Sequence, residues 1–244
     1  MADIPSSSTY NTGDIPGPIP AAAGGEEAVL IDWTGATESN TGGKGGNTDI
    51  NGTSIRVEIA AVQQLLTTLN CYTIAKEIEG KPVAASGLRL FAKIGNPDQA
   101  PAIGANAGIH FAIATQDTPA TNKGVICGIE LQDSPGPRYR AQAECKKLGT
   151  NPAGVTIIDV ADVSVAALVV ELRVRFDPTT GNILHAASIV YGADGVNAHH
   201  LDVTGVTGTT FYAMILCEQD NATPGDVLDM DGIQVWRLWE TDPS

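Results

Sequence analysis

The chain has 244 residues, 28 acidic against 14 basic, and a formal charge of −14. That balance argues against a general phosphate-binding surface, because association would begin against repulsion, so no nucleic acid partner is expected. With 43% apolar and 17% charged residues, and a length at which roughly 70 to 75% of the unfolded surface is buried, one large core needs no metal or disulfide staple.

Residues 1–25 contain Ile4-Pro5, Ile15-Pro16 and Ile19-Pro20 in a Ser, Thr, Gly and Pro background. Proline disfavours helix at the residue before it and favours an extended polyproline-II backbone. Each unit pairs an apolar side chain with a stiffened backbone. Ile4, Pro5, Ile15, Pro16, Ile19 and Pro20 therefore read as interface anchors of an extended assembly arm; the alternative is a solvated tail. The segment has neither a basic start nor an apolar centre, so synthesis in the cytoplasm without a cleaved signal is expected. No apolar run of about 18 residues offers a membrane-spanning helix, and no membrane partner is expected.

Residues 28–33 (AVLIDW) read as a short strand. Residues 34–53 read as a Gly, Asn and Thr surface loop whose Lys44 lacks the phosphate-cradle pattern G-x-x-x-x-G-K-[ST]. In 54–70, Ile55, Val57 and Ile59 alternate as in a strand, while Val62, Leu65, Leu66 and Leu69 have helical spacing, so a strand running into a short helix is predicted. Strands follow at 72–78, 88–94, 109–113, 125–131, 139–145 and 155–160, with turn residues between them.

The element around which the chain is organised is a hairpin within 163–195. Leu172, Val174 and Phe176 alternate with Glu171, Arg173 and Arg175, which predicts one face for a core and one for water. Residues 177–182 (DPTTGN) supply the turn, since Asp177 can bond its own backbone, Pro178 presets φ and Gly181 tolerates φ > 0. Strands at 201–203, 211–218 and 233–240 complete the set. No helical stretch long enough for a parallel crossover separates these strands, so the expected fold is all-β. The architecture is an antiparallel two-sheet sandwich of jelly-roll type, one domain over residues 26–244.

Residues able to carry chemistry are sparse. Cys71, Cys127, Cys145 and Cys217 include no C-x-x-C pair. Cys127 and Cys217 lie in apolar strand-like runs and read as buried, reduced thiols, with zinc not expected. His199, His200 and Asp202 form the one His cluster; adjacent strand residues point to opposite faces, so the pair reads as a polar loop edge rather than a chelate. Asp220, Asn221, Asp226, Asp229 and Asp231 crowd the loop before the last strand and are the calcium candidates, although Asp and Asn are also common turn residues. Trp33, Trp236 and Trp239 either stack on a sugar or pack the interior, and the spacing of Trp236 and Trp239 sends at least one of them to the core.

The alternating strands, the hairpin ELRVRFDPTTGNIL and the closing WRLWE resemble the concanavalin A-like lectin and laminin-G sandwich group over residues 28–240. Glycoside hydrolases of that group carry E-x-D-x-x-E on one strand; no such string occurs here and Glu171 stands without a second carboxylate, so no catalytic residue is assigned and no enzyme is expected. An Ile-Pro arm before an acidic, Gly- and Thr-rich β domain also resembles virion structural proteins of tailed bacteriophages, especially head decoration proteins and fibres. That resemblance implies a non-catalytic capsid decoration or cement subunit in the virion. It would be a homotrimer held by its arm to the major capsid protein or to neighbouring subunits, with no cofactor. The alternative is a lectin-like carbohydrate-binding module or receptor-binding fibre head, and a glycan ligand and calcium belong to that reading.

Overall fold

The computed structural model describes residues 28–40, 46–59, 70–94, 102–103, 107–115, 125–134, 138–144, 155–160, 168–192, 195–201, 207–219 and 228–241. Among these, all regular structure is β. In chain order the strands are β1 (Val29–Leu30), β2 (Thr37–Asn40), β3 (Gly46–Asn51), β4 (Ser54–Ile59), β5 (Asn70–Glu77), β6 (Ala85–Ile94), β7 (Ala102–Ile103) and β8 (Ala107–Ala114). They continue as β9 (Val125–Ser134), β10 (Arg138–Glu144), β11 (Val155–Val160), β12 (Leu168–Phe176), β13 (Ile183–Gly192), β14 (Gly195–Leu201), β15 (Tyr212–Gln219) and β16 (Leu228–Thr241).

Every pairing is antiparallel, and the strands form two sheets. The first runs β14-β13-β12-β6-β16-β4-β3, with β1 and β7 added alongside β16; the second runs β11-β10-β9-β8-β15-β5-β2. The architecture is the expected two-sheet sandwich. A contiguous cluster of buried side chains fills the space between the sheets, including Leu88 and Leu90 of β6, Leu172 and Val174 of β12, and Ile109 and Phe111 of β8. At one end of it Phe176 and Phe211 have ring centroids 5.0 Å apart, and Trp239 meets Phe211 edge-on at 6.1 Å.

The central hairpin forms as its sequence dictates. Asp177 Oδ1 accepts from the backbone N–H of Thr180 at 2.9 Å and of Thr179 at 2.8 Å, while Gly181 N–H donates to Asp177 O. Gly181 has φ of 73°, and a Cβ there would lie 2.9 Å from Gly208 O, so both the turn and the neighbouring backbone require glycine. Inside the sandwich Ser188 of β13 donates to Gly128 O of β9 at 3.0 Å, which satisfies a buried hydroxyl and ties the sheets together.

Four segments differ from expectation. Residues 34–53 are not one loop: β2 and β3 lie within them, at the edge of the second and first sheet respectively. Edge strands of Thr, Asn, Gly and Asp pair through their backbones and show no apolar alternation, so their sequence looks like a loop. Strand β14 begins at Gly195, ahead of the strand expected at 201–203, of which 202–203 lie outside the described residues; His199 and His200 thus lie in a strand rather than a loop edge, and the last strand begins at Leu228 rather than at 233. The two-residue β7 carries no periodicity to read. The arm at 1–25 and the helical spacing at 62–69 lie outside the described residues.

Val174 has no exposure, whereas Arg175 is exposed. Val174→Asp should cost several kcal/mol by burying an unpaired carboxylate, and Arg175→Ser should lower the melting temperature much less; equal losses would mean the strand faces are inverted. Bonds from Thr180 and then Thr179 hold the Asp177 carboxyl below its ordinary pKa. A depressed folded-state pKa gives stability that is present above the unfolded value and lost as pH falls through the folded one. Acid titration of Asp177→Asn, which keeps an acceptor but does not titrate, should therefore show a shallower loss of stability below about pH 4 than the unsubstituted chain.

Candidate functional site

Strand pleating sends Leu88, Leu90 and Ala92 inward and leaves Arg89, Phe91 and Lys93 on the outer face of the first sheet. On β12 the same face carries Val169, Glu171, Arg173 and Arg175, and on β16 it carries Trp236, Leu238 and Glu240. Register sets Glu171 opposite Phe91, and Phe91 opposite Trp236; it sets Arg173 opposite Arg89, and Arg89 opposite Leu238.

This face was expected to meet water, and much of it does not. Glu171, Phe91 and Leu238 are 0% exposed, Arg89 is 6% exposed and Lys93 5%. The expectation failed because alternation shows which side chains share a face but not what lies over it. Phe91 and Leu238 pack with part-buried Ala28 and Trp236 in a second apolar cluster outside the sandwich interior.

The polar residues are organised around Glu171. Its Oε1 accepts from Arg89 Nε at 2.6 Å and from Arg173 Nη2 at 3.0 Å. Arg89 also lies 4.8 Å above the Phe91 ring and 3.7 Å from Glu240 Oε1. Two guanidinium groups directly opposite one another on adjacent strands repel, and Glu171 is the charge between them that makes the pair tolerable. A carboxylate committed to two guanidinium groups is an orienting group rather than a proton donor. Arg173 Nε is buried without a hydrogen bond.

Of the calcium candidates, Asp229 and Asp231 lie in β16 rather than in a loop, and Asp231 Oδ1 accepts from Gly232 N–H at 2.7 Å where the register shifts. Asp220, Asn221 and Asp226 lie outside the described residues, as does Asp202. Among the described residues no three His, Cys, Asp or Glu side chains come together as a metal site. The backbone register of β14 sets His199 opposite Ser188 and His200 opposite Ala187, on the two opposite faces of the sheet. Trp33 and Trp239 are buried in the core, and Trp236 is the part-exposed one on the outer face, as its spacing from Trp239 required. Cys127 and Cys217 are buried thiols outside any disulfide. The Arg-Glu-Arg cluster was missed, yet its signal was present: β6 places Phe91 between Arg89 and Lys93 on its non-core face, an aromatic where a solvated face needs none.

Glu171→Gln should destabilise the fold by about 3 to 5 kcal/mol, because it removes the carboxylate that the buried Arg89 and the part-exposed Arg173 share. Replacing Arg89, Glu171 and Arg173 together by apolar residues of similar volume should cost far less. Chemical denaturation of both variants checks this, and a mild effect of Glu171→Gln alone would show that the arginines are neutralised elsewhere.

No protein-family model and no curated protein matches the chain. Solved structures do. A legume lectin-like domain from Entamoeba histolytica has a TM-score of 0.53 at 7% identity, over 86% of this chain and 95% of its own. The carbohydrate recognition domain of Emp46p in its potassium-bound form gives 0.50 at 8% identity, over 84% and 88%. An alginate lyase from Pseudomonas aeruginosa gives 0.45 at 13% identity, over 76% and 82%. At these identities the likeness is one of fold alone, a lectin-like β-sandwich.

Proposed function

We propose that the chain is a non-catalytic carbohydrate-binding module. The observation that carries this reading is the outer face of the first sheet, where the part-exposed Trp236 adjoins a fixed array of hydrogen-bonding charges. A sugar offers C–H faces to an aromatic ring and hydroxyl edges to planar polar groups, so a site that pairs the two recognises it. The lectin-like fold supports the reading, and the commitment of Glu171 to two arginines speaks for binding over proton transfer. The capsid decoration reading rests on residues 1–25, outside the described residues, and draws no support from the comparisons.

A glycan array followed by titration calorimetry tests the proposal. The chain should bind at least one glycan without cleaving it, and Trp236→Ala should weaken that binding by roughly tenfold with an unchanged β-type circular dichroism spectrum. Absence of binding across the array, or the appearance of shortened sugar products, would overturn it.

A further inference from the structure

The chain carries a charge of −14, yet four of its 14 basic residues, Arg89, Lys93, Arg173 and Arg175, share the outer face of two adjacent strands, β6 and β12. Against them, on this face of β6, β12 and the paired part of β16, stand Glu171 and Glu240. Cations thus exceed carboxylates among the described residues of the face, in a chain that is acidic as a whole.

The excess shows as donors lacking acceptors. Arg173 Nε has no hydrogen bond although it is shielded from solvent. Lys93, only 5% exposed, has neither an ion pair nor a hydrogen bond among the described residues. Buried charge without a counter-charge is expensive, so a fold that keeps it does so where something supplies the missing negative group. Along the strands, Lys93 is followed by Glu171 with Phe91, then by Arg173 with Arg89, then by Arg175, at intervals of about 7 Å. Trp236 adjoins the track at Phe91. Arg175 is exposed, and Arg173, Gln234, Trp236 and Glu240 are part-exposed, so the track reaches solvent at its rim.

We infer that this track is an oxyanion site whose occupant is an acidic glycan, with uronate carboxylates received by Arg173 and Lys93 and a sugar face by Trp236. The inference rests on the carbohydrate-binding reading and narrows it to one chemical class. A guanidinium edge matches a planar carboxylate, and a track of separate cations suits a chain of charged sugars better than one small ion. Because the rest of the molecule repels anions, binding is local and weakens with salt.

The full chain is titrated with a short oligouronate, with the same oligosaccharide methyl-esterified, with a neutral oligosaccharide and with inorganic sulfate. The oligouronate should bind at least about tenfold more tightly than its ester. Lys93→Met should remove most of that difference, and Arg173→Gln should weaken the oligouronate several-fold more than the ester. Lys93 is tied to no partner among the described residues, so its variant is the one expected to keep the native melting temperature, and the acid-ester comparison needs no variant. Equal affinity for acid and ester, or variants that bind like the unsubstituted chain, would overturn the inference. Sulfate binding as tightly as the oligouronate would also overturn it, since the occupant would then be a free anion. Binding of neutral sugars only would refute the acidic class and leave the carbohydrate reading intact, whereas binding of none would refute both.

Discussion

Glu171 is wholly enclosed and accepts hydrogen bonds from arginines on both sides of it in the sheet, one from the neighbouring strand and one from its own. The centre of the first sheet depends on that arrangement. The negative charge at this position offsets the repulsion between Arg89 and Arg173, which β6 and β12 set opposite one another in a largely enclosed setting. The inner faces of the same strands supply Leu88, Leu90, Leu172 and Val174 to the main core, so registry between β6 and β12 is set from both sides. A slip of one residue would send the leucines outward and the charges into the sandwich, which makes the alternative pairing prohibitive.

Burial on both faces also distinguishes the inner strands from the margins. The edges β2 and β3 are short and carry Thr, Ser, Asn, Gly and Asp, composition that blunts a sheet edge. The interior strands hold the large apolar side chains, and the Phe176, Phe211 and Trp239 rings close one end of the core beside the hairpin turn. Lys81 caps that group with its ammonium 4.9 Å from the Phe176 ring. Rigidity at the sheet centre is what allows an exposed or half-exposed residue such as Trp236 to be held in a fixed place.

The fold was legible because its strands obey a period of two and its turns use residues with a local reason to turn. Asp177, Gly181 and the alternation from Leu172 to Phe176 led directly to the hairpin. The edge strands were not legible, because Thr37–Asn40 and Gly46–Asn51 are held by backbone pairing and leave almost no side-chain pattern. The candidate site was half legible. Alternation placed Glu171, Arg173 and Arg175 on one face, but which strand lies beside β12 is a long-range fact, and only the pairing with β6 reveals that Arg89 meets Glu171. A charged residue on a strand looks solvated until its neighbour across the sheet is known.

The placement of β16 bears on how the molecule comes into being. This strand, the last in the described chain, lies in the interior of the first sheet, between β6 and β4, and it also pairs with β1, so that Val29 meets Arg237. A nascent chain that has emerged only as far as β15 therefore holds β6 and β4 with no strand between them and with their apolar faces open. Pairings this distant in sequence close slowly. The growing polypeptide is accordingly most exposed to self-association just before β16 leaves the ribosome, and a chaperone that holds it would act at that stage rather than earlier.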